Sequence, residues 1–246
     1  MHIPDGYLGP ATCGFFYVVM LPIWTIASKI VKKTLKIKQV PMLAIAAAFS
    51  FVIMMFNLPI PGGTTGHAVG GVLVAILLGP WAACIAITVA LVIQALLFGD
   101  GGITAIGANC FNIAFVLPFA GYYLYKWISG NCPGKRRVIA AGVAGYIALN
   151  LAALFTGIEF GLQPLLHRAA NGQALYCPYG LNVAVPIMAG EHLLFFGWVE
   201  AVVTALVVKY LQKQSPELME NKGDGSIFPT VLQRKIEPSP NSPEIL

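Results

Sequence analysis

Apolar residues run on for nearly the whole of this chain, in stretches of about 20, the length needed to cross the hydrocarbon core of a membrane. They occupy residues 11–31, 41–58, 66–79, 81–98, 103–127, 138–160 and 183–210 of 246. Backbone polar groups find no water in a bilayer, so such stretches must be helices that satisfy their own hydrogen bonds. Charged residues make up 10% of the chain, against about 25% in ordinary soluble domains. The expected fold is therefore an all-α integral membrane protein, a bundle of about seven transmembrane helices.

The third stretch is the exception. Its 14 residues, 66–79, span only about 21 Å at the helical rise of about 1.5 Å per residue. Before it comes Pro59-Ile60-Pro61-Gly62-Gly63-Thr64-Thr65, which cannot be helical throughout. Irregular backbone at membrane depth survives only where protein or a wet cavity surrounds it. The sequence therefore predicts a sunken outer loop that places His67 at the head of a short third helix. Gly62, Gly66 and Gly70 stand at the four-residue interval that lets helices approach closely.

Charge sets the orientation. With the N-terminus outside and the C-terminus cytoplasmic, 14 of the 15 Lys and Arg residues fall on the inner side and only Arg168 falls outside. The net charge of +5 is then a matter of topology and of contact with anionic lipid, and no nucleic-acid role is implied. Residues 1–212 form the membrane domain. Residues 213–246, with Pro216, Pro229, Pro238, Pro240 and Pro243, read as a polar, flexible cytoplasmic tail. The five cysteines make no CxxC pair and read as single residues of apolar helices. The first ten residues lack the basic and apolar regions of a signal peptide, so the expected mature chain starts at Met1.

That start matters because His2 follows it. The Met1 amine and the His2 backbone nitrogen can close a five-membered ring on a metal, and that nitrogen and His2 Nδ1 a six-membered one. A nitrogen from His67 completes a square-planar set, a geometry that suits Ni(II) or Cu(II). The alternatives are a solvated His2 on a frayed terminus and a His67 that caps a helix or lines a cavity. With an amine near about 7.7–8.0 and an imidazole near about 6.5, affinity is expected to fall steeply as pH drops through that range. Asp5 and Asn109 are candidates to support the chelate from behind, Asp5 by orienting His2. Asn109 and Asn112 are spaced to share a helix face, and Gln94 is a further polar residue near a membrane segment. His167 and His192 fit no metal spacing and read as structural, His192 with a possible place on an entry path. Glu200 lies inside the last stretch, and an intramembrane carboxylate is either functional or held by a packing partner.

The string GNCPGKR at residues 130–136 has the wrong spacing for a phosphate-binding loop, so this chain is not expected to hydrolyse ATP itself. No enzymatic motif and no resident cofactor are expected; the metal would be cargo. Two other readings compete with a metal-capture subunit. A stand-alone secondary permease would need more ionisable residues along its path than Glu200. A membrane metalloenzyme would use His167, Glu191 and His192 with an open coordination position.

MHIPDGYL at residues 1–8, TGHAVGG at 65–71, GANCFN at 107–112 and VEAVVT at 199–204 together resemble the CbiM/NikM family over about residues 1–212. That family supplies the substrate-binding membrane components of energy-coupling factor transporters for cobalt and nickel. The resemblance implies metal ligands at Met1, His2 and His67, with Ni(II) or Co(II) as the substrate, in a multi-pass protein of a bacterial or archaeal cytoplasmic membrane. It implies four kinds of contact: a transmembrane coupling subunit, cytoplasmic ATPase subunits, a small companion membrane protein and the lipid bilayer. Some relatives carry the companion fused at the C-terminus. Here the tail after Gln214 has no apolar run.

Overall fold

The computed structural model describes residues 1–35, 40–60, 64–130 and 134–219. Among these, the helices join into seven rods. Helix α1 (Pro10–Thr34) is followed by α2 (Val40–Met55), α3 (Gly71–Leu78) and α4 (Pro80–Ile93), which runs on through a π-helical turn at Gln94–Phe98. The fifth rod is α5 (Ile106–Asn109), a π turn at Cys110–Val116 and α6 (Leu117–Ser129). The sixth is α7 (Lys135–Leu166). The seventh is α8 (Leu181–Glu191), a π turn at His192–Phe196 and α9 (Gly197–Gln214).

Four helices, Pro10–Thr34, Pro80–Phe98, Lys135–Leu166 and Leu181–Gln214, are long and apolar enough to cross a membrane. At 16 residues α2 is shorter, and α3 has only eight. The expected helix at 66–79 thus begins five residues late, and His67 precedes it in irregular backbone instead of heading it. The segment before it holds a strand pair that the all-α expectation did not contain. Strands β1 (Leu58–Ile60) and β2 (Thr64–Gly66) pair antiparallel, with Leu58 opposite Gly66. Pairing in this way satisfies backbone groups that prolines keep out of a helix. Residues 61–63 of the expected sunken loop lie outside the described residues. So do residues 220–246 of the expected tail, whose first part continues α9 to Gln214 and ends in a short turn at Pro216–Leu218.

Large apolar side chains face outward in number, among them Phe15, Val18, Leu97, Trp127, Leu194 and Leu206. Such a surface belongs against lipid. Helix α7 is the central rod and packs on α6, α8 and α9. Its buried face is built of small residues: Ala140, Ala141, Ala144, Gly145, Ala148, Ala152, Ala153, Gly157 and Gly161. Between helices in lipid, small residues gain contact by letting backbones come close. At Gly161 the approach is tightest, because a β-carbon there would stand 2.6 Å from the Leu181 Cα. Gly14 on α1 has nothing within 4 Å of the same position. Gly161→Ala is therefore expected to lower stability by about 1–3 kcal/mol through forced separation of α7 and α8. Gly14→Ala should leave the melting temperature in detergent unchanged or slightly raised, and thermal unfolding of the two variants side by side checks the contrast.

Candidate functional site

The chain ahead of α1 is not a frayed end. Met1, His2, Ile3 and Leu8 are buried, Met1 and Ile3 completely. This segment has no regular structure of its own, so its backbone groups must find partners elsewhere. The Asn109 side chain meets Ile3 at both ends: the Ile3 N–H donates to Asn109 Oδ1 at 2.8 Å, and Asn109 Nδ2 donates to the Ile3 carbonyl at 3.1 Å. The Gly102 N–H donates to that same carbonyl at 2.8 Å. The Thr64 hydroxyl donates to the His2 carbonyl at 2.8 Å. Further along, the Gly9 N–H donates to Gln163 Oε1 at 2.9 Å, and the Cys177 N–H donates to the Tyr7 carbonyl at 3.1 Å. The loop after α4 fits against this segment only because Gly102 lacks a side chain. A β-carbon there would lie 2.4 Å from the Asp5 nitrogen.

Asp5 does a different job from the one expected of it. Its carboxylate accepts the N–H groups of Ile103 and Thr104 at 3.1 and 2.9 Å and the Thr104 hydroxyl, which holds its pKa below the usual value despite some desolvation. It therefore ties the N-terminal segment to the 102–104 loop. The carboxylate beside His2 belongs to Asp100, whose Oδ1 is 3.3 Å from His2 Nδ1 and whose Oδ2 accepts from Asn57 Nδ2 at 2.9 Å. Partial burial raises the Asp100 pKa, while the Met1 amine and Asn57 pull it back. Asp100 had a signal in the sequence, since it stands between glycines at the end of an apolar stretch.

The His2 and His67 rings stack with centroids 4.4 Å apart and an interplanar angle of 28°. His67 Nδ1 lies 3.0 Å from the Ala68 carbonyl, which can only accept, so Nδ1 carries the proton and Nε2 keeps its lone pair. His192 is set the same way, with Nδ1 2.8 Å from the Met188 carbonyl. Around these rings the buried atoms without a hydrogen-bond partner include both ring nitrogens of His2, Nε2 of His67, Nε2 of His192 and both ends of the Gln94 amide. Buried polar groups are nearly always paired, so a cluster of unpaired nitrogens marks a place built for something else. Burial pushes the Met1 amine down to about 4, with Asp100 and Glu191 partly opposing. Burial also pushes His2 down to about 3, helped by the neighbouring amine. Both stand neutral at neutral pH, the form with a lone pair to give. Among the described residues no three His, Cys, Asp or Glu side chains group closely enough to hold a metal by themselves. A metal here would need backbone nitrogens as well.

Glu200 is buried on α9, and its Oε2 accepts the N–H groups of Val69 and Gly70, both at 2.8 Å. It fixes the backbone between His67 and α3. A carboxylate suits the positive end of a helix. Glu200 is not the sole carboxylate inside the bundle. Glu159 on α7 is also buried, accepting from Asn112 Nδ2 at 2.9 Å, and the sequence reading passed over it. His167 lies away from the ring pair, with its ring over Gly9 and Nε2 3.4 Å from the Thr12 hydroxyl.

A family model described as "Cobalt uptake substrate-specific transmembrane region" matches residues 2–218. A probable fused nickel transport protein of Lactiplantibacillus plantarum is 53% identical over 224 residues, 88% of this chain; the chain spans 66% of that protein's length. A putative metal transport protein of Methanocaldococcus jannaschii is also 53% identical, over 90% of this chain and 96% of its own. A crystal structure titled as a truncated transition metal transporter superposes with a TM-score of 0.84 at 56% identity, covering 87% of this chain and 99% of the other.

Asn109→Ala leaves the Ile3 N–H without a partner and its carbonyl with one fewer. The expected cost is about 1–3 kcal/mol, roughly a factor of 10 to 100 in the population with the chain end released. Acylation of the Met1 amine by a water-soluble active ester should speed up accordingly, and mass spectrometry of the N-terminal peptide reads it.

Proposed function

This chain belongs to the CbiM family, a family of nickel and cobalt transporter components in the cytoplasmic membrane, and on that premise we propose that it captures Ni(II) for ATP-driven uptake. The ligands are the Met1 amine, the His2 backbone nitrogen, His2 Nδ1 and His67 Nε2. The observation that carries this reading is the buried chain end. A buried amine and two stacked imidazoles meet, with both His2 ring nitrogens and His67 Nε2 lacking a hydrogen-bond partner. Four nitrogens in a plane suit Ni(II), and a deprotonated amide excludes weakly polarising ions such as Mg(II) and Ca(II). Co(II) is the second substrate, named in the family description.

Four ligands from the protein close the site, which suits carriage over catalysis. The N-terminus faces outward and the C-terminus the cytoplasm, supported by the one-sided placement of Lys and Arg. Energy comes from partners: a transmembrane coupling subunit, cytoplasmic ATPase subunits and a small companion membrane protein.

Isothermal calorimetry on two purified forms tests the ligand set. One form starts at Met1, and the other carries a single Gly ahead of it. The extension displaces the amine and changes no side chain. The native form should bind Ni(II), and the extended form, which loses a ligand itself, should lose more than the roughly 10- to 100-fold that loss of an outer-shell partner costs. Equal binding by both would overturn the chelate.

The lowered pKa values move the pH dependence away from the expectation drawn from ordinary ones. With the amine at about 4 and His2 at about 3, neither holds a proton that competes with metal between pH 6 and 8. The proton still to be lost is the one on the His2 amide. Affinity should therefore weaken as pH falls with a slope of about one in log K against pH. A slope of two or more in that window would show that the amine or the imidazole is charged in the metal-free protein.

A further inference from the structure

Gln94 is completely buried at the head of the π turn that ends the fourth rod, and neither end of its amide has a hydrogen-bond partner. A glutamine in that position is unusual, because each unpaired end carries the cost of desolvation. Its neighbour is the His2 imidazole. π turns recur where a helix must aim a side chain at a functional centre.

His2 has two jobs that need different tautomers. In the structure as it stands, Nδ1 faces Asp100 Oδ1 at 3.3 Å. A carboxylate only accepts, so this contact favours the proton on Nδ1 and leaves Nε2 with a lone pair. A metal bound at Nδ1 requires the reverse. The Nδ1 proton leaves, Nε2 gains one, and the ring stays neutral. The Nε2–H then needs an acceptor. Metal-bound imidazoles nearly always donate their second N–H to such a group.

We propose that Gln94 is a positioning residue that meets the metal-bound tautomer of His2 by turning its amide. In the empty site the amide makes no hydrogen bond, and in the loaded site it turns so that its Oε1 accepts the Nε2–H. The absence of any other partner at either end is what leaves the amide free to turn. This rests on the chelate proposed above. The proton lost from the His2 amide goes to solvent and takes no part in the exchange.

The test uses the full chain with its native start, labelled with 15N at histidine and glutamine, with and without Ni(II). Square-planar Ni(II) is diamagnetic, so two-bond 1H–15N spectra report which ring nitrogen of His2 carries the proton. The expected result is a proton on Nδ1 in the empty protein and on Nε2 in the loaded one, with the Gln94 side-chain amide shifting between them. Gln94→Leu removes both ends and should weaken Ni(II) binding about 10- to 100-fold. Gln94→Glu keeps an acceptor, so it should hold the Nε2–H form and bind close to wild type. Wild-type affinity in Gln94→Leu, or one unchanged tautomer in the wild-type spectra, would overturn the inference. The spectra decide alone if Gln94→Leu fails to fold. Calorimetry with the Gly-extended form separates the two levels. If it binds as well as the native start, the chelate fails and this inference with it. If it does not bind, the chelate stands and the spectra judge Gln94 alone.

Discussion

A chain end without helix or strand sits inside an apolar bundle only if its backbone is held by groups elsewhere in the fold. Water does not reach there, and an unpaired group costs about 1–3 kcal/mol. The two-ended grip of Asn109 on the Ile3 backbone is the centre of that arrangement. It lets one side chain do what a neighbouring strand would do. Gly102, Thr64, Gln163 and Cys177 add further hydrogen bonds along residues 2–9. With the segment held at Ile3, Met1 and His2 have one place to be, against the ring of His67.

The surrounding elements follow from this need. The loop of residues 99–105 returns to the chain end because glycine lets backbone approach backbone, and Asp5 ties the two together. The three π turns begin at Gln94, Cys110 and His192, next to or within the polar groups around the rings. Small residues on α7 draw the later helices in tightly, and His2, His67 and His192 lie buried. Burial keeps the amine and His2 neutral. Packing that excludes lipid and water thus sets the chemistry of the nitrogens.

Much of this was legible in the sequence because hydrophobic length translates directly into spans. The seven apolar stretches correspond to the seven rods, with ends displaced by a few residues. Displacement was largest where polar partners far along the chain decide the ends. Helix α3 starts at Gly71 because Glu200 takes the N–H groups of Val69 and Gly70, a contact across 130 residues that no local pattern reveals. The strand pair escaped because its three-residue strands carry no periodic signal. Met1, His2 and His67 were singled out from position and residue type, and the structure buries all three and stacks the two rings. Asp100, Gln94 and Glu159 take their importance from neighbours that only folding supplies. Asp5 was placed by nearness in sequence to His2, and its short side chain turns to the loop instead.

The grip of Glu200 on the backbone after His67 has a mechanical side. Helices α8 and α9 form one rod of 34 residues that carries this carboxylate on its buried face. Between the rod and the loop after His67 the coupling is two short hydrogen bonds to a single oxygen, with no slack in a flexible linker. Twisting the rod about its long axis swings that oxygen sideways, and the loop must follow or let go. The rod is in effect a key shaft and Glu200 its bit, so a torque applied at the far end of α9 reaches the backbone beside His67.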